Sequence, residues 1–271
     1  MSAFREQLLQ ESRLLTVLYD NLAESIKADV VYRVVDRFLQ KYTAFNHIDT
    51  EAAIQVYTNY IGAYNKHCKQ FSKTGKYPWE NGDNSFEITR EGYDVILLMS
   101  ILFTSHRFRL MQLVANADTS GKALFIGLGS GIEILLTEKK HSERHGYDIT
   151  VSKFLYSEFP DVLFKTKLYT GQQEDYFDTI YMIELLEHVV DPFALLTTCS
   201  SSLKKGARIV FTTATDMPQF DHLYNFNPDH SVLDKAIVEM GCEIIYKEKI
   251  SHSYMAMNLT PCNHFYLIEK R

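Results

Sequence analysis

The segment Gly121-Lys122-Ala123-Leu124-Phe125-Ile126-Gly127-Leu128-Gly129-Ser130-Gly131-Ile132-Glu133-Ile134-Leu135-Leu136 decides the fold. A short apolar run at 123–126 leads straight into glycines at alternate positions, and a helical pattern begins at once with Ile132, Ile134 and Leu135. Strand, glycine loop and helix in that order make a turn tight enough for a ligand to meet the backbone, where the helix N-terminus offers unpaired N–H groups. An ordinary strand-to-helix turn also uses glycine, so the residues downstream of the loop carry the weight. The next apolar run, 144–149, brings Asp148 seventeen residues beyond Gly131. An acid at the end of that second strand can hold the two hydroxyls of a ribose. It can also cap the helix expected from about Val151, and both readings stay open.

Outward from this segment the chain changes character near residue 120. After it, runs rich in β-branched residues recur at 123–126, 144–149, 163–169, 179–183, 208–213, 242–250 and 263–269. The first five are spaced widely enough for crossover helices, which indicates a parallel sheet, and only the last two are close enough to pair antiparallel. Before residue 120, proline first occurs at Pro78 and glycine at Gly62, and apolar residues recur at helical spacing. Helices are expected at about 3–26, 28–45, 49–72 and 88–115, with an exposed loop over 72–85. The expected architecture is α/β: a Rossmann-like doubly wound, mostly parallel sheet at 118–271, preceded by an α-helical N-terminal region at 1–117 that caps the acceptor site.

Composition excludes several other classes. Hydrophobic residues at 46% and charged residues at 23% are ordinary for a globular chain. A net charge of −6 with no basic run gives no field for a phosphate backbone, so no nucleic acid is expected. Arg5, Glu6, Glu11 and Arg13 would interrupt a signal sequence, and the longest apolar stretch, 95–104, is far short of a membrane span. A cytoplasmic protein is expected. Cys68, Cys199, Cys242 and Cys262 form no CxxC pair and read as reduced, buried thiols. A zinc cluster of Cys242, His252, Cys262 and His264 lacks a close ligand pair, so no metal is expected.

Further along, Tyr176-Phe-Asp-Thr-Ile-Tyr-Met-Ile-Glu-Leu-Leu-Glu-His-Val-Val-Asp-Pro192, Leu203-Lys-Lys-Gly-Ala-Arg-Ile-Val210 and His222-Leu-Tyr-Asn-Phe-Asn-Pro228 come in order. With the glycine loop and Asp148, these resemble the fourth-strand, fifth-strand and late-loop motifs of class I S-adenosylmethionine-dependent methyltransferases over about residues 120–250. The resemblance implies S-adenosylmethionine as cofactor, with its methionine part cradled by Gly127, Gly129 and Gly131 and its ribose held by Asp148. It places adenine over Ile149 and near Gln172 or Gln173. Glu184 and His188 become the candidate catalytic residues at the carboxyl edge of the sheet, where a neutral imidazole can orient an acceptor or take its proton. Glu187 reads as a capping or surface residue.

Acceptor-site candidates are His106, Arg107 and Arg109 near the end of the last N-terminal helix, and His222 and Tyr224, with Asp221 and His230, after the fifth strand. The basic trio fits either a clamp for an anionic acceptor or a dipole-favoured helix end. Tyr57, Tyr60 and Tyr64 share a helical face and read as packing.

Phe125 departs from the resembled family, which carries an acid two residues before its first glycine. Nicotianamine synthase-like enzymes, which transfer the aminocarboxypropyl arm, also place an apolar residue there, and aminocarboxypropyl transferases of the microcin C maturation type are similar in size. The sequence therefore predicts an S-adenosylmethionine-dependent transferase acting on a small-molecule or peptide-derived acceptor, with methyl the group transferred. Aminocarboxypropyl transfer and a non-catalytic partner of the same fold are the alternatives. NAD binding is disfavoured by Ile132, where a spaced glycine would be expected. A homodimer or an association with a pathway enzyme is open to such a chain.

Overall fold

The computed structural model describes residues 2–81, 87–171, 174–226, 229–252, 259 and 261–271. Seven strands form one sheet: β1 Gly121–Ile126, β2 His141–Asp148, β3 Val162–Thr166, β4 Phe177–Met182, β5 Leu203–Thr215, β6 Cys242–Ser251 and β7 Cys262–Lys270. Their order is β3-β2-β1-β4-β5-β7-β6. The first five are parallel, and β7 runs antiparallel to both β5 and β6. The order reverses between β1 and β4, so the crevice for a ligand lies beyond the carboxyl ends of those two strands.

The N-terminal region is helical: α1 Ala3–Glu11, α2 Arg13–Asp20, α3 Glu24–Lys27, α4 Val30–Phe45, α5 Thr50–Thr74, α6 Arg90–Phe103 and α7 Ser105–Asn116. The crossover helices are α8 Ile132–Thr137, α9 Lys153–Glu158, α10 Pro192–Ser202 and α11 Ser231–Glu239. Two expected helices are divided. Ser12 ends α1 in an extended conformation and its side chain accepts from Leu15 N, so a hydroxyl that competes with the backbone starts a new helix. Thr104 is likewise extended, at φ −135° and ψ 132°, which separates α6 from α7 and re-aims the basic cluster. By contrast α5 runs unbroken until Gly75, whose φ of 67° is the left-handed stop that glycine takes most cheaply.

Alternation along the strands supplies the two faces of the sheet. Phe125, Tyr181, Val210 and Phe265 belong to a buried cluster that includes Leu8, Phe38, Leu102 and Leu110 of the N-terminal helices. Leu124, Ile180, Ile209 and Tyr266 face the other way, against Leu196 of α10 and Ile237 of α11. Full burial of each such side chain contributes about 1.5–3 kcal/mol, and a domain's whole margin is about 5–15 kcal/mol. A chain starting at Asp118 would expose one entire face of the sheet. It is expected to be insoluble or to lack a cooperative thermal transition; a soluble protein with a sharp transition would show the helices to be an accessory.

No helix among the described residues is long and apolar enough to cross a membrane. The four cysteines are free and buried. Cys242 pairs in register with Lys270 while Cys262 pairs with Ser251, so they sit at opposite ends of the β6–β7 ladder and cannot share a zinc ion.

Candidate active site

Two cavities open at the crevice. The first, of about 490 Å3, is bounded by the glycine loop, Asp148, Ile149, the segment 167–170 and the start of α6. Gly129 and Gly131 have φ of 45° and 78°, and a Cβ would fall 2.9 Å from Leu97 Cδ1 in the first case and 2.4 Å from Leu155 Cδ2 in the second. The left-handed conformation favours glycine at both positions, and Gly127 and Gly129 bring backbone to the cavity wall. Asp148 accepts from Leu128 N at 2.8 Å and Thr150 N at 3.0 Å, so its carboxylate braces the loop before any ligand arrives. Ile149 is 69% exposed at the rim, which it shares with Leu168, 70% exposed. Gln172 and Gln173 lie outside the described residues, as does Pro228.

One residue that sequence reasoning missed organises this cavity. Arg90, in the first turn of α6, donates to the Gly129 carbonyl at 2.5 Å, pairs with Asp94 at 3.1 Å and approaches Asp148 at 3.6 Å. Asp94 is fully buried and its carboxyl is pushed up to about 7 by desolvation, against the pull of Arg90 and Tyr42. The available signal was the placement of Arg90, Tyr93 and Asp94 at the head of an otherwise apolar helix.

The second cavity, of about 310 Å3, lies under the N-terminal helices and is lined largely by apolar and aromatic side chains. Tyr57, Tyr60 and Tyr64 form one wall, so the stripe expected to be packing also faces this space. Tyr60 and Tyr64 lie parallel, centroids 6.3 Å apart, and Tyr60 Oη donates to Gln219 Oε1 at 3.2 Å. Leu14 and Leu18 of α2 bring a further wall that the sequence did not point to.

Tyr93, Leu97, Arg107, Glu184 and His188 line both cavities. Glu184 comes after β4 with φ 51°, a left-handed conformation unusual for a residue other than glycine. Its carboxylate pairs with Arg107 and accepts from Thr212 Oγ1 at 2.7 Å and from Asn263 Nδ2 at 2.9 and 3.0 Å. His188 Nδ1 lies 3.0 Å from the Asp221 main-chain oxygen, which can only accept, so Nδ1 carries the proton and Nε2 is the basic nitrogen. The Asp221 carboxylate is 3.5 Å away and also accepts from Tyr93 Oη at 3.2 Å. Burial alone would lower the proton affinity of His188, but Asp221 and Glu187 outweigh it and raise the pKa above the ordinary histidine value.

The remaining candidates divide. His106 and His222 line the second cavity. His106 stacks against His252 at 3.8 Å, and burial holds both imidazoles neutral, His252 down to about 4. Arg109 lines neither cavity: it forks onto Glu248 of β6 with two contacts of 2.8 Å. Tyr224 is also outside both, packed on Phe226 at 4.8 Å, and His230 meets Thr213 and His264 under β5. Glu187, expected at the surface, is fully buried in a tight turn at Leu186–His188, with no hydrogen-bond partner for either carboxylate oxygen among the described residues. Desolvation and the nearby Glu184 push its carboxyl up to about 8. Glu187, His188 and His222 each bring a ligand-type atom within 4.8 Å of the others, a spacing that a metal ion could bridge.

A mostly parallel sheet with a reversed order, a glycine loop and an acid at the end of β2 define a nucleotide-binding type of α/β fold. Residues 103–245, over half of the chain, match the model of the methyltransferase domain family, and the chain belongs to that family. A methyltransferase domain makes it a group-transfer enzyme. It is 28% identical over 120 residues to the ubiquinone biosynthesis O-methyltransferase of Histophilus somni, covering 40% of this chain and 50% of that one. The enzyme of the same name from Xanthomonas axonopodis is 31% identical over 126 residues, covering 41% and 50%. The chain thus spans about half the length of the curated relatives it matches. The YcgJ protein of Bacillus subtilis superposes with a TM-score of 0.50 at 15% identity over 61% of this chain and 99% of that one, a likeness of fold alone.

Proposed function

We propose that this enzyme transfers the methyl group of S-adenosylmethionine to a small aromatic or peptide-derived acceptor held in the tyrosine-lined cavity. The observation that carries the reading is the wall of five residues shared by the two cavities, which sets an acceptor in one against the cofactor in the other. When bound, the cofactor supplies an electrophilic methyl group on a sulfonium. The protein's part is positioning, exclusion of water and handling of the acceptor's proton. The backbone at Gly127, Gly129 and Gly131 receives the amino-acid end, Asp148 the ribose, and Ile149 with Leu168 cover the base. His188, with Nε2 unprotonated, takes the acceptor's proton, and Asp221 orients the ring. Glu184 has its oxygens committed to Arg107, Thr212 and Asn263, so its role is to fix Arg107 in the shared wall rather than to move a proton. Tyr57, Tyr60 and Tyr64 present flat faces to an aromatic acceptor, and His106 and His222 complete the cavity.

The apolar residue before the glycine loop is compatible with methyl transfer and does not require aminocarboxypropyl transfer. Phe125 stacks on Tyr181 with centroids 4.7 Å apart and planes 5° from parallel, so core packing accounts for it. The test is incubation with S-adenosylmethionine and a panel of phenols, catechols and short peptides, with both products identified. S-adenosylhomocysteine and a methylated acceptor are expected; methylthioadenosine would replace this reading with aminocarboxypropyl transfer. Tyr60→Leu should raise the acceptor KM about fivefold, as expected for a lost aromatic contact of about 1 kcal/mol, with little change in cofactor affinity.

A further inference from the structure

We propose that Glu133 receives the α-ammonium group of S-adenosylmethionine and so replaces the acid that the glycine loop lacks at Phe125. The inference rests on the assignment of the larger cavity to the cofactor. An ammonium group taken from water into this cavity needs hydrogen-bond acceptors, and an anionic one matches its charge best. Phe125 cannot provide one, since it is 3% exposed and stacked in the core against Tyr181.

Four acids among the described residues line the cavity: Glu133, Asp148, Glu184 and Asp221. Asp148 is held by two backbone N–H groups and faced by Arg90. Glu184 is saturated by Arg107, Thr212 and Asn263. Asp221 is engaged at Oδ2 by Tyr93 and His188, and its Oδ1, buried without a partner among the described residues, stands beside His188. Among the described residues, Glu133 makes no salt bridge and accepts from its own backbone N–H rather than from another side chain. It stands two residues beyond Gly131, on the wall formed by Gly129, Ser130 and Ile132 where the amino-acid end of the cofactor would lie.

The electrostatics agree with that missing counter-charge. Desolvation raises the Glu133 carboxyl to about 7, only partly offset by its own backbone N–H and by Arg107, while Asp94 and Glu184 add to the rise. A cationic ligand would supply the opposite charge.

The test measures binding and needs no turnover. Three compounds are titrated calorimetrically: S-adenosylhomocysteine, its analogue with hydrogen in place of the α-amino group, and methylthioadenosine, which lacks the amino-acid end. Wild type should prefer the first over the des-amino analogue by at least about tenfold, as a charge-assisted hydrogen bond requires. Glu133→Gln should cut that preference to within about threefold, with methylthioadenosine bound as before. Retention of the full preference by Glu133→Gln overturns the proposal. So does loss of methylthioadenosine binding in both Glu133→Gln and Glu133→Ala, which would make Glu133 a structural part of the adenosine site. If wild type binds none of the three compounds, it is the cofactor-cavity assignment that fails.

Discussion

Replacement of His188 by alanine is expected to lower kcat by about 10²–10⁴-fold, the usual contribution of a positioned general base, while S-adenosylhomocysteine affinity stays within a few-fold. Among the described residues its ring is the one imidazole that borders both cavities, and the Asp221 carbonyl at 3.0 Å fixes which nitrogen is basic. Because Asp221 and Glu187 raise its pKa against the opposing effect of burial, the rate should climb with pH along a limb above the ordinary histidine value of about 6.5. Asp221→Asn removes a negative neighbour, favours the neutral ring and should move that limb to lower pH. A chelator control separates a base from a metal ligand: if His188 acts by proton transfer, wild-type kcat is unchanged in excess EDTA. A His188→Ala enzyme within about threefold of wild type would remove the residue from the mechanism.

Asp148→Asn is expected to weaken S-adenosylhomocysteine binding by about 10–100-fold, from the loss of charged hydrogen bonds to the ribose. The structure adds a second effect. The carboxylate accepts from Leu128 N and Thr150 N and faces Arg90, so the substitution should also cost about 1–3 kcal/mol of stability in the free protein. The two effects are read separately, by titration calorimetry and by denaturant unfolding. Unchanged affinity would sink the ribose assignment, and unchanged stability would sink the bracing role.

The sheet was legible because β-branched runs and glycine punctuation are local signals, and all seven strands lie where those runs occur. Thr104 was not, since a threonine inside a helical pattern does not announce an extended residue, and the break depends on how α6 and α7 pack. That Gly127, Gly129 and Asp148 meet at one cavity was legible from order and spacing, whereas Gly131 does not line that cavity and a Cβ there would meet Leu155 of α9. The tyrosine wall was not, because a stripe at helical spacing looks the same whether it faces a core or a cavity. Arg107 and Arg109 are two residues apart on a helix and therefore point to different sides, one into the shared wall and one onto β6. Glu187 was placed at the surface by ideal helical geometry, but the chain makes a tighter turn there and carries it inward. Glu133 carries no motif at all; only the cavity reveals it.

Cofactor and acceptor are proposed to occupy two cavities that meet at Tyr93, Arg107 and His188. The most direct measurement is a crystal structure of the complex with S-adenosylhomocysteine. Ribose hydroxyls are expected on Asp148, the amino-acid end along Gly127–Gly131 and the sulfur turned toward the tyrosine-lined cavity beside His188. A ligand lying elsewhere, or one whose sulfur faces away from that cavity, would contradict it.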